Sequence, residues 1–132
     1  MRFNVRLSTL DLDLHPEMIA RLIKSWVIAL ATTNLAWLQA VPETPSIYES
    51  GVSYRAEPTG REDFFDIPTV IDQGHADCED LAAWLTAEYW AANQWADPIV
   101  TYDLYDNGDI SFHVRVQTPH GLEDPSAMLG MP

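Results

Sequence analysis

No charged residue occurs from Ser25 to Pro42, "SWVIALATTNLAWLQAVP". Such a run folds either as a helix buried in a protein core or as a membrane segment. A span needs about 20 predominantly apolar residues. This run is shorter and is interrupted by Thr32, Thr33, Asn34 and Gln39. A buried helix is therefore expected, and membrane association is not. The residues just upstream agree. Met18, Ile19, Leu22, Ile23, Trp26, Val27 and Leu30 recur at helical spacing. His15-Pro16-Glu17 supplies a start, with Pro at the first helical position and Glu in the first turn. The sequence predicts a helix from Pro16 to about Gln39, ending before Pro42.

A helix buried along its length needs other layers around it. The chain has 132 residues, 47% of them hydrophobic, with five Trp. This fits one folded domain spanning residues 1–132. Phe3, Val5 and Leu7 alternate, and Leu10, Leu12 and Leu14 alternate on the shifted parity, which predicts a strand or strand pair kinked near Ser8-Thr9. Residues 41–64 carry Pro42, Pro45, Gly51, Pro58 and Gly60. They read as a long irregular stretch of the kind that walls a binding groove. Asp66 before Ile67-Pro68 starts a short helix. A second long helix begins at Asp77 or Cys78 and reaches about Gln94. Strands follow at Ile99–Tyr105 and Ile110–Gln117, joined by the hairpin turn Asp106-Asn107-Gly108-Asp109. Pro119-His120-Gly121 makes another turn before a short strand at Leu122–Asp124. The order of elements predicts an α+β domain with an antiparallel sheet.

The formal charge is −13. This argues against nucleic acid as a partner, because Lys and Arg are needed to neutralise phosphates. It allows steering toward cationic segments. One cysteine cannot form an internal disulfide, so nothing points to an oxidised scaffold. The alternating N-terminus "MRFNVR" does not read as a signal peptide. A cytoplasmic or particle-associated location is expected.

The single cysteine lies in "DQGHADCEDLAAW", residues 72–84. Asp77 is a suitable N-cap, and Asp80 stands where a capping-box acid belongs. Cys78 then occupies the first helical turn, where N–H groups and the helix dipole stabilise an anion and lower a thiol pKa. Its acidic neighbours oppose this, so a nearby imidazolium is needed. His113, in "ISFHVRV", is the candidate base, and Asp124, in "LEDPS", the candidate orienting acid. The oxyanion donors are expected to be the Cys78 backbone N–H and the Gln73 side chain, with His75 as second choice. Each residue also has a plainer reading. Cys78 shares a helical face with Leu81, Ala82, Leu85 and Tyr89. His113 alternates with Phe112 and Val114, so it points away from their face. Asp124 precedes a proline, as turn residues do. Trp84 and Trp90 read as core residues. A zinc site from Cys78, His75 and His113 lacks a paired-ligand spacing, and neither a metal nor an organic cofactor is expected.

"GHADCEDLAAW", "FHVRV" and "LEDPSAMLGM", in this order, resemble the transglutaminase-like branch of the papain-type cysteine peptidase superfamily. The closest likeness is to the small single-domain members found in tailed bacteriophages and prophages. The match covers residues 64–131, and the upstream "YESGVSYRAEP" has the same flavour. The resemblance implies Cys78 as nucleophile, His113 as base and Asp124 as orienting acid. It implies a cysteine at a helix N-terminus packed on a small antiparallel sheet. Cross-linking transglutaminases place an aromatic residue directly after the cysteine, where this chain has Glu79, which tilts the expectation toward hydrolysis. The implied substrate is a peptide or isopeptide bond in a protein, a virion component or a cell-wall peptide. A catalytically silent morphogenesis or host-interaction protein that keeps the fold is the alternative.

Overall fold

The computed structural model describes residues 4–8, 15–57 and 61–132. The chain opens with strand β1 (Asn4–Ser8) and the long helix α1 (Pro16–Ala40). The expected kink at Ser8-Thr9 and the alternation of Leu10, Leu12 and Leu14 fall outside the described residues. Helix α1 starts as the sequence predicts: Pro16 opens it, and His15 Nδ1 accepts the Glu17 N–H at 3.2 Å. Its buried residues Ile19, Ala20, Ile23, Val27, Leu30, Ala31 and Asn34 form one stripe. No helix among the described residues is long and apolar enough to cross a membrane.

The stretch after α1 is more ordered than its Pro and Gly content predicts. A 3-10 turn at Ile47–Glu49 is followed by the short strand β2 (Ser53–Tyr54) and by β3 (Arg61–Phe65), which pairs antiparallel with β1. Short helix α2 (Ile67–Gln73) begins where Asp66 was expected to start it, with Asp66 Oδ1 accepting the Thr69 N–H at 3.1 Å. Gly74 ends it at φ 80°, a left-handed conformation that favours glycine. The two-residue strand β4 (His75–Ala76) then pairs with β2 in parallel. The sequence predicts neither β4 nor a parallel pair.

Helix α3 (Cys78–Ala91) follows at once. It is buried on every side from Cys78 to Ala87, because α1 and the main sheet both pack on it. It stops before the expected Gln94. Asn93 turns left-handed at φ 58°, and the Gln94 N–H donates to Tyr89 O at 2.9 Å, closing the helix end. Strands β5 (Asp97–Leu104), β6 (Ile110–Thr118) and β7 (Gly121–Glu123) form an antiparallel meander. The Asn107-Gly108 turn joins β5 to β6 as expected, with Gly108 at φ 88° and the Asp109 N–H held by Asn107 Oδ1 at 2.9 Å. A last helical turn, α4 (Pro125–Met128), packs on α3 and β2. The fold is α+β with a small antiparallel sheet, as the order of elements predicts.

Val114 and Val116 of β6 are buried with Leu81, Trp84 and Leu85 of α3 and with Leu30 of α1. Trp84 is wholly buried, and Trp90 packs at the edge of the same core with its indole N–H donated to Ala96 O. Both tryptophans serve the core rather than a groove rim.

Candidate active site

The helix start that carries Cys78 is fixed from three directions. Asp77 and Asp80 form a capping box, as their spacing predicts. The second oxygen of Asp80 accepts the Phe65 N–H at 2.8 Å, which fastens α3 to β3. Pairing of Tyr54 with Ala76 fastens the preceding strand to β2. Cys78 is 6% exposed. Its thiol donates to Glu79 Oε2 at 3.3 Å, and Glu79 is itself buried. Its backbone N–H donates to Asp77 Oδ1 at 2.7 Å.

Burial pushes the Asp77 carboxyl up. The N–H groups of Cys78 and Glu57, the Cys78 thiol and the charge of His113 pull against it. Burial also pushes Asp80 well up, against the Phe65 N–H. The start of α3 is therefore a place where negative charge is expensive, and where His113 is near enough to be felt.

His113 and Asp124 meet. His113 Nε2 lies 2.7 Å from Asp124 Oδ2, with each side chain about one-quarter exposed, 26% and 25%. The register explains the meeting. Val116 pairs with Glu123, so Asp124 comes opposite Arg115, on the face of β6 that also carries His113. Asp124 is the N-cap of α4, and its other oxygen accepts the Ala127 N–H at 3.2 Å. Alternation does set His113 out of phase with the buried Val114 and Val116, as the strand pattern predicts. Its charge nonetheless acts on Asp77, the residue before the cysteine.

Gln73 and His75 lie on the wall of a cavity of about 500 Å³ that also carries Asp77, the residue before Cys78, together with Arg55, Glu57 and Asp63. The Gln73 side-chain N–H donates to His75 O at 2.8 Å. Both donors expected to serve an oxyanion, the Cys78 N–H and the Gln73 amide, are thus engaged within the chain. Asp77, Cys78 and Glu79 bring one ligand-type atom each to within 4.8 Å of one another, a thiol and two carboxylates. Neither His75 nor His113 belongs to that group.

The sequence reading misses two residues. The sequence reading gives Glu79 no partner, yet its carboxylate accepts the hydrogen bond of the Cys78 thiol; an acid next to the cysteine is the signal. Tyr54 was noted only within the upstream stretch. Its phenol is pushed up to about 12 by burial, and then by the charges of Asp77, Cys78, Glu79 and Asp124. Its backbone pairs with Ala76 and donates its N–H to Leu129 O at 2.9 Å, which ties β2 to the strand before α3 and to the end of α4.

No family model matches the chain, and no curated protein or solved structure matches it.

Proposed function

We propose that this chain is a thiol acyl-transfer enzyme of the transglutaminase-like, papain-type class. Its most fitting reaction is hydrolysis of a peptide or isopeptide bond. The observation that carries the reading is the 2.7 Å contact between His113 Nε2 and Asp124 Oδ2, beside the helix start that bears the only cysteine. A neutral imidazole that gives its Nε2–H to Asp124 leaves Nδ1 as a proton acceptor. Nδ1 takes the Cys78 proton, and the sulfur attacks the amide carbonyl. The carbon–nitrogen bond breaks, and the amine leaves with the proton from His113. Water, deprotonated by the same imidazole, then attacks the thioester. The carbon–sulfur bond breaks, releasing the acid and restoring the thiol. An amine in place of water gives transamidation.

Residues 41–57 and 61–68 would wall the groove, and the charge of −13 favours cationic protein segments or cell-wall peptides as substrates. The resemblance in "GHADCEDLAAW" and "LEDPSAMLGM" supports a phage or prophage setting. A specific observation favours a second reading, a silent assembly or host-interaction protein. Cys78 is buried, and its thiol is held by the Glu79 carboxylate.

The test is hydrolysis of a mixed peptide library, read by mass spectrometry, with wild type and Cys78→Ala. New termini that disappear in Cys78→Ala are the expected result. Identical digests from both proteins would establish the silent reading.

A further inference from the structure

Helix α3 carries a second group of polar side chains, toward the end away from Cys78. Glu88 lies about 15 Å further along the helix at the usual rise. It lines a cavity of about 330 Å³, shared with Tyr48 of the 3-10 turn and Glu123 of β7. A volume of that size suits a side chain rather than a large cofactor. Leu85 and Ala92 of α3 make part of the lining apolar. The rings of Tyr48 and Tyr89 make part of it aromatic, and Tyr48 is 42% exposed.

The two carboxylates are held by neutral donors. Glu88 Oε2 accepts the Ile47 N–H at 2.8 Å. Glu123 Oε1 accepts the hydroxyls of Tyr89 and Thr118, the latter at 3.4 Å. Among the described residues, no Lys, Arg or His forms an ion pair with either acid; Arg21 is matched to Glu17, Lys24 to Asp97 and His113 to Asp124. Burial pushes Glu88 from 4.5 up to about 7, although the Ile47 N–H pulls it down. No cation of the chain offsets that cost.

A cation on an apolar stem complements each part of this lining. Aromatic rings attract a cation. Carboxylates give it charge-assisted hydrogen bonds. Apolar surface covers the methylenes of its stem. The two acids stand on different elements, which suits the compact ammonium of lysine better than the planar fork of arginine.

We propose that the cavity between α3, the 3-10 turn and β7 is a binding site for a lysine side chain of another protein. The site is separate from Cys78 and does not depend on that residue being a nucleophile. A cationic ligand accords with the charge of −13.

The test uses Nα-acetyl-lysine N-methylamide as the probe and the matching norleucine compound as its control, which has a methyl group in place of the ammonium. Binding is followed in backbone amide NMR spectra at about pH 8, where Glu88 is ionised. Saturable shifts centred on Tyr48, Glu88, Tyr89 and Glu123 are expected with the lysine compound and not with the norleucine compound. Glu88→Gln keeps an acceptor for the Ile47 N–H and removes the charge; its affinity is expected to fall roughly tenfold. Tyr48→Ala removes an exposed ring, and a loss of about threefold is expected. Absence of saturable shifts, equal shifts with the norleucine compound, or wild-type affinity in both variants overturns the site. Should a variant lose its native circular dichroism, the two compounds compared on wild type decide alone. The readout involves no turnover by Cys78, so failure of the site and failure of the acyl-transfer reading are separate results.

Discussion

Asp124 uses its two carboxylate oxygens differently. One holds His113, and the other caps α4 through the Ala127 N–H. The substitutions Asp124→Asn and Asp124→Ala therefore separate the roles. Asn is also a good N-cap, whereas Ala in place of Asp costs about 1 kcal/mol. Urea unfolding is expected to place Asp124→Asn near wild type and Asp124→Ala about 1 kcal/mol below it. Alkylation of Cys78 near neutral pH is expected to slow in both, since both lose the charge that orients His113. A wild-type rate in both would mean that the pair is only a structural contact. The pairing of His113 with Asp124 was legible from the motif order and from a hairpin return. The capping role was half legible, because Asp-Pro reads equally well as a turn. Tyr54 was not legible. A two-residue parallel bridge leaves no periodicity in the sequence, and nothing near residue 54 announces a partner at residue 76.

At the scale of elements, Asn34 shows how the long uncharged run is used. The sequence marks it as an interruption of an apolar stretch. In the structure it is fully buried, and its Oδ1 accepts the Ile67 N–H at 3.0 Å, joining α1 to the start of α2. Asn34→Ala leaves that buried N–H unpaired and opens a small void. A loss of roughly 2 kcal/mol by urea unfolding is expected, within the usual range for an orphaned buried donor. A change under about 0.5 kcal/mol would show that the join is immaterial. The long helices and the hairpin were legible because periodicity, caps and Asn-Gly turn chemistry all point the same way. The end of α3 was not, because it depends on Asn93 adopting a left-handed backbone. The order within residues 41–64 was not, because it comes from pairing with β1 and β4, both distant in sequence.

Over the whole molecule, the buried acids set a direction for stability. Burial raises Asp77, Asp80 and Glu88, the last from 4.5 to about 7, with Glu49 adding to the effect on Glu88. A carboxyl raised in the folded state binds its proton more tightly there than in the unfolded chain. Its contribution is full below the unfolded value and is lost as pH rises through the folded one. For Glu88 the window runs from 4.5 to about 7. Wild type is expected to lose on the order of 2 kcal/mol across it that Glu88→Gln retains, a figure discounted for partial exposure. Parallel urea midpoints for the two proteins at the ends of that window would contradict this. The largest question also belongs to the whole fold, because α3, β6 and α4 must converge for Cys78 and the His113–Asp124 pair to act together. The most direct measurement is the rate of Cys78 alkylation by iodoacetamide from about pH 4 to about pH 9, in wild type and His113→Ala. An assembled couple gives fast alkylation persisting below about pH 7 in wild type and lost in His113→Ala. A slow rate that rises only above about pH 8, the same in both proteins, would contradict it and leave the silent assembly reading in its place.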